Sequence, residues 1–237
     1  MDPATVALRS GDAVIQCDLY GDLPARRAVV LCHGQSWDAT GWRQIAPRFA
    51  ARGIPALALN FRGYDGSTGT TTYESTVADV AAAKAYLRAQ GAGEIALVGA
   101  SMGGYAVLAS SFEGDIECVA SISAPVNALD DALARRITGR KLFICADADS
   151  LGATPHVAHT FGVVAGPKTL VLHGGQEHSA GMFNAPYGES VIRTLLDFVA
   201  ETREPDAPTD DAIAMTGTLG SAPGGPAATT RGADSAS

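Results

Sequence analysis

Ser101 is the residue whose setting points most directly to chemistry. It lies in Val98-Gly99-Ala100-Ser101-Met102-Gly103-Gly104, between an apolar run, Glu94 to Val98, and a small-residue segment, Tyr105 to Ser111. This G-x-S-x-G spacing predicts a sharp turn from a buried strand into a helix, where glycines remove side chains that would strike the neighbouring strand and helix. A serine at that apex stands over the end of a sheet. Its backbone lies at a helix N-terminus, where unpaired N–H groups and the positive dipole end favour developing negative charge. The fitting chemistry is nucleophilic attack on an acyl carbonyl. An ordinary glycine turn capped by Ser101 would have the same letters, so the reading requires partners elsewhere.

A serine hydroxyl is a weak nucleophile near neutral pH and needs a base, which in turn needs an orienting carboxylate. Leu170-Val171-Leu172-His173-Gly174-Gly175-Gln176-Glu177-His178 offers two imidazoles. His173 is contiguous with a strand-like run, whereas His178 lies in the loop beyond two glycines and has the reach a base requires. Leu142-Phe143-Ile144-Cys145-Ala146-Asp147-Ala148-Asp149 offers two carboxylates. Asp149 is far enough into its loop to turn toward His178; Asp147 reads as a turn carboxylate or loop-stabilising acceptor. The oxyanion of an acyl-transfer intermediate would be held by two main-chain amides, those of Met102 and of Gln35 in the loop after His33-Gly34. His156 and His159 are spaced to share a metal, but no third ligand is near, so no metal or cofactor is expected.

These residues need elements that bring them together. Thr5 to Arg9 and Ala13 to Tyr20, separated by Ser10-Gly11-Asp12, predict an antiparallel hairpin. Buried strands are predicted at Arg27–Cys32, Pro55–Asn60, Glu94–Val98, Cys118–Ser123, Lys141–Ala146 and Lys168–Leu172. Helices are predicted at Thr40–Ala51, from a capping box at Thr71-Thr72-Tyr73-Glu74 to Gln90, after Ser101, and from Gly188 to about Thr202. This alternation is the α/β class, a mostly parallel central sheet with helices on both faces. Ligands of such sheets bind beyond the carboxyl ends of the strands. His33, Arg62, Ser101, Asp149 and His178 all follow predicted strands, so the topology gathers them at one edge.

The chain has 237 residues, of which 46% are hydrophobic and 18% charged, enough for one substantial core, placed in residues 1–203. A net charge of −8 without a basic stripe argues against a nucleic-acid or anionic-membrane partner. No signal-like N-terminus or membrane-length apolar run is present, and the expected location is the cytoplasm. Cys17, Cys32, Cys118 and Cys145 are widely spaced in apolar runs and read as buried free thiols. Residues 204–237, rich in Pro, Ala, Gly, Thr, Ser and Asp, are expected to be a disordered tail.

The order Ser101, Asp149, His178, with His33-Gly34-Gln35 upstream, resembles the α/β-hydrolase superfamily over roughly Val6 to Ala200. Arg62-Gly63-Tyr64-Asp65-Gly66-Ser67 is similar to its R-G-x-G-x-S turn, with Asp65 where glycine is usual, a mild departure because aspartate tolerates a left-handed backbone. Ala146 stands for the glycine of the superfamily's G-x-x-D segment. Only Ala124 to Arg140 separates two strands where many members insert a cap, which implies no cap domain and an open pocket. Aspartate nucleophiles of epoxide hydrolases and dehalogenases and the cysteine of dienelactone hydrolases are both absent at position 101. The resemblance implies a cofactor-independent serine hydrolase for small esters or thioesters. By position, Trp37 and Trp42, which flank the helix after the His33 loop, and Met182 and Phe183, just beyond His178, are candidates either to line the substrate pocket or to pack the core. The same residues would serve acyl transfer or peptide hydrolysis, and the fold would also suit a non-catalytic binding protein. The oligomeric state is left open.

Overall fold

Hydrophobic alternation in the central strands sets up two cores. The strands are β1 (Ala4–Ser10), β2 (Ala13–Tyr20), β3 (Ala25–Cys32), β4 (Ala56–Leu59), β5 (Ala92–Ala100), β6 (Cys118–Ile122), β7 (Arg140–Ala146), β8 (Lys168–His173) and β9 (Ala212–Thr216). The computed structural model, which describes residues 1–112, 114–124, 129–202 and 211–216, joins them in one sheet of order β1-β2-β4-β3-β5-β6-β7-β8-β9. The β1–β2 hairpin and the β2–β4 pair are antiparallel; every later pair is parallel.

Successive strand side chains point to opposite faces. In β5, Ile95 and Leu97 join one core cluster while Ala96, Val98 and Ala100 join the other; in β7, Phe143 and Cys145 separate in the same way from Leu142 and Ile144. The first face is covered by α2 (Tyr73–Ala89), α3 (Met102–Ala109) and α5 (Ala153–Val163), the second by α1 (Ala46–Ala50) and α6 (Gly188–Ala200). Helix α6 belongs there because Val191, Ile192, Leu195, Leu196 and Val199 repeat at helical spacing and are all buried. A fully buried leucine such as Leu97 contributes about 1.5–3 kcal/mol.

Between β6 and β7 the described residues form only the short helix α4 (Asp131–Ala134), so no cap covers the carboxyl edge of the sheet. Among the described residues no helix is long and apolar enough to cross a membrane. All four cysteines are buried free thiols, as their spacing suggested; burial pushes the Cys118 thiol up to about 12.

Three expectations are corrected. The helix expected over Thr40–Ala51 divides into a 3-10 turn at Ala39–Trp42 and the short α1, because Pro47 lacks an N–H and is tolerated only in a first turn. The capping box of α2 is shifted by one: Thr72 Oγ1 accepts from the Ser75 N–H and Ser75 Oγ from the Thr72 N–H, while Thr71 donates its hydroxyl to the Arg62 carbonyl. The expected disorder of 204–237 fails at Ala212–Thr216, which pairs in parallel with β8 as an edge strand. That segment buries no side chain, so backbone pairing, invisible to a composition argument, is what holds it. The rest of that stretch, residues 204–210 and 217–237, lies outside the described residues.

Candidate active site

The turn after β5 concentrates strain at one residue. Ser101 has φ +52° and ψ −118°, a region that costs a non-glycine residue about 1–3 kcal/mol. Its neighbours hold it there: the Ser101 N–H donates to Ile122 O at 2.8 Å, and the Tyr105 N–H donates to Ser101 O at 3.0 Å. The glycines are required by contact. A Cβ on Gly99 would lie 2.2 Å from Gly103 O, and one on Gly103 would lie 2.1 Å from Cys32 O.

His178 Nε2 lies 2.9 Å from Ser101 Oγ, and His178 Nδ1 lies 2.9 Å from both carboxylate oxygens of Asp149. The Asp149 side chain is wholly buried, and its Oδ1 also accepts the Leu151 N–H at 3.0 Å. An acceptor on Nδ1 keeps the proton on that nitrogen and turns the Nε2 lone pair toward the serine. Cys145 Sγ, 3.8 Å from Asp149 Oδ2, is a thiol that burial pushes up to about 11, so it faces the carboxylate as a neutral donor.

Two loops are zipped together to make this line. The amides of Asp147, Ala148 and Ser150 donate to the carbonyls of His173, Gly175 and Gln176 at 2.8, 3.1 and 2.9 Å. Asp147 Oδ1 accepts the Gly175 N–H at 3.0 Å. Asp147 is thus a loop-stabilising acceptor, and His173 is a wholly buried strand-end ring stacked on Tyr187. The structure brings Ser101, Asp149 and His178 together and leaves both alternatives outside.

His33 organises the neighbouring loop. Its Nε2 accepts the Phe61 N–H at 3.1 Å, which assigns the proton to Nδ1; Nδ1–H then donates to Gly34 O at 2.8 Å. The Gly34 carbonyl and the Gln35 N–H share one trans peptide and point in opposite directions, so His33 sets the direction of that amide. Gln35 O in turn accepts the Tyr64 hydroxyl at 2.9 Å. Met102 is the first residue of α3, and its N–H has no carbonyl one turn back to bond.

Burial pushes the His33 imidazole down to about 4. An unfolded histidine titrates near 6.5. As pH falls from about 6.5 toward 4, the unfolded chain binds a proton that the fold excludes, so this stability is complete above 6.5 and is lost below it. The expected loss is about 3 kcal/mol by the lower end of that window. Urea unfolding at pH 7.5 and 4.5 should show a gap smaller by about 2–3 kcal/mol in His33→Gln than in the wild type. Equal gaps would refute the assignment.

A cleft of about 160 Å³ adjoins these groups, lined by Gln35, Tyr64, Thr71, Thr72, Tyr73 and Met102. Tyr73, 41% exposed, is braced edge-on by Tyr105 with ring centroids 4.7 Å apart. Tyr64, Thr71, Thr72 and Tyr73 were not foreseen as site residues. The only sequence signal was an aromatic beside each of two features already noted, the Arg62-Gly63 turn and the α2 cap. Of the two readings open for Met182 and Phe183, both side chains take the core one: Met182 is fully buried, and Phe183 packs against Trp42 with ring centroids 5.6 Å apart. Their apolar character serves packing. Trp37 is 39% exposed and lies over Gly41, outside the residues that line the cleft.

Arg62 forms a paired contact to the buried Asp79, with Nη2 to Oδ1 at 2.7 Å, which locks the turn after β4. In that turn the left-handed positions are Gly63 and Gly66; Asp65 has no positive φ, so its side chain meets no backbone strain there. His156 and His159 are exposed, and His159 pairs with Asp131 at 2.8 Å.

Solved structures share this architecture. A predicted CIB-like hydrolase from Thermoplasma acidophilum superposes with a TM-score of 0.72 at 17% identity, covering 84% of this chain and 99% of that one. An esterase from Pyrococcus furiosus gives 0.69 at 18% identity over 84% and 92%. The enol-lactonase from Burkholderia xenovorans LB400 gives 0.68 at 16% identity over 83% and 100%. At these identities the likeness is one of fold. No curated protein sequence matches. The model of the alpha/beta hydrolase family matches residues 29–232, from the middle of β3 to beyond the last described strand, and the chain therefore belongs to the alpha/beta hydrolase family.

Proposed function

We propose that this protein is a cofactor-independent serine hydrolase that cleaves small, uncharged carboxylic esters or thioesters. The observation that carries the reading is the unbroken line from Ser101 Oγ through His178 to Asp149, with hydrogen bonds of 2.9 Å. As Ser101 Oγ bonds to the acyl carbon, its proton passes to His178 Nε2. Asp149 keeps the imidazolium in place and stays ionised. The carbonyl oxygen, now an oxyanion, takes hydrogen bonds from the Gln35 and Met102 amides. The intermediate collapses, the alcohol or thiol leaves with the proton from His178, and water repeats the sequence to release the acid and restore Ser101.

The cleft supports the substrate class. Its volume of about 160 Å³ is that of a cavity able to hold one benzene-sized group. None of its lining side chains is charged, which favours neutral esters with a short or single-ring group. A fluorophosphonate probe should label Ser101 in the folded protein, and a panel of neutral esters should show activity falling as the acyl chain lengthens. No labelling and no turnover would refute the proposal.

The two aspartates separate by role. Asp149→Asn should lower kcat by roughly 10⁴-fold, because an amide can hold the imidazole in the wrong tautomer. Asp147→Asn retains an acceptor oxygen for the Gly175 amide and should remain within about tenfold of wild type. Comparable losses in initial-rate assays would overturn the assignment of Asp149.

A further inference from the structure

Among the described residues, the last strand is attached by few contacts, and one of them leads to the site. All five residues of β9 are exposed, Ile213 and Met215 by 67% and 69%. What holds it is the ladder to β8 from Thr169 opposite Ala212 to His173 opposite Thr216, and a Gly174 N–H donating to Thr216 O at 3.3 Å. An Asp211–Lys168 contact at 3.8 Å and a hydrogen bond of 2.6 Å between Thr216 Oγ1 and His173 Nδ1 add to the attachment. An edge strand that buries no side chain detaches at low free energy.

Beyond Thr216 the connection continues inward. The His173 ring stacks on Tyr187 with centroids 4.7 Å apart and planes 13° apart. The Tyr187 hydroxyl donates to Glu177 Oε2 at 2.6 Å, and Glu177 immediately precedes His178. Between His173 and Glu177 lie Gly174 and Gly175, the latter at φ +155°, a stretch with little intrinsic stiffness that depends on its bonds to the 147–150 loop and on this path for its position. Thr216, His173, Tyr187 and Glu177 thus form one connected path from the C-terminal strand to the peptide that carries His178. None of the four touches Ser101.

We propose that docking of the C-terminal strand on β8 positions the His178 loop, with His173, Tyr187 and Glu177 as positioning residues. The inference rests on the reading of His178 as the general base. With the strand docked, the imidazole is held on Ser101; with it released, the loop keeps only its bonds to the 147–150 turn and loses the brace through His173, Tyr187 and Glu177. A misplacement of about 1 Å is enough to cost roughly 10²-fold in rate.

The test uses the full chain with Thr216→Val, which keeps a β-branched strand residue, and Tyr187→Phe, which keeps the ring stack, singly and together. Amide exchange of residues 174–178 should quicken in each single variant. Turnover of a small ester should fall roughly tenfold in kcat with KM within about twofold. The double variant should lose no more than the weaker single, since both cut one path, whereas independent structural damage would multiply and follow the loss in Tm. Exchange and kcat both within about twofold of wild type in the two single variants, or multiplicative losses in the double, would overturn the proposal. Fluorophosphonate labelling of the wild type reports separately: an unlabelled Ser101 with quickened loop exchange in the variants would end the hydrolase reading and leave the strand-to-loop coupling standing.

Discussion

Ser101→Ala should lower kcat/KM for a small ester by about 10⁴- to 10⁶-fold, the loss seen when a serine hydrolase is deprived of its nucleophile. The size follows from what remains. On the proposed mechanism, removing the hydroxyl prevents the acyl-enzyme and leaves the Gln35 and Met102 amides only direct attack by water to assist. His178→Ala should cost about as much, because without the imidazole 2.9 Å from Oγ the proton has no acceptor. The double variant should be hardly worse than either single one, since the two groups act in one step. Single-turnover assays with a p-nitrophenyl ester measure all three. A Ser101→Ala protein within tenfold of wild type would show that another group carries the reaction, and multiplicative losses in the double variant would show that the serine and histidine act independently.

The second large effect concerns stability. Gly103→Ala should fail to accumulate as folded protein, or melt about 10 °C or more below the wild type. The new Cβ would lie 2.1 Å from Cys32 O, 2.5 Å from Cys32 C and 2.7 Å from His33 O. All three are backbone atoms, and Cys32 ends β3, which is paired on both sides by β4 and β5. Relief would require moving the centre of the sheet together with the His33–Gln35 loop. Net stabilities of about 5–15 kcal/mol leave little margin for that. Gly162→Ala is the control. Nothing lies within 4 Å of its Cβ position on α5, and alanine there should be neutral or stabilise by up to about 1 kcal/mol. Calorimetry or circular dichroism melts separate the two outcomes, and a Gly103→Ala melt matching wild type would refute the packing argument.

Much of the architecture was legible because it is written in local periodicity. The runs at Arg27–Cys32 and Lys141–Ala146 are apolar after their first residue, as strands buried on both faces must be, and the structure extends them by only a residue or two. The α6 stripe is equally explicit. Where the reading slipped, a competing local demand prevailed: Pro47 delayed a helix start, and Thr71 spent its hydroxyl on Arg62 rather than on a cap.

The site divides along the same line. Residue type, chain order and loop reach pointed to Ser101, to His178 ahead of His173 and to Asp149 ahead of Asp147, because residues that follow strands of a parallel sheet must share its carboxyl edge. What only the tertiary structure decided is which side chains face the same space. Met182 and Phe183 are apolar and near His178 in sequence, yet they turn into the core, while Tyr64 and Tyr73, from separate segments, meet over the cleft. The Thr216–His173–Tyr187–Glu177 path could not be read in advance either, since three distant segments form it. Sequence determines locally what each segment buries, through period and turn chemistry; contacts between distant segments depend on register, twist and loop geometry, which no single segment encodes.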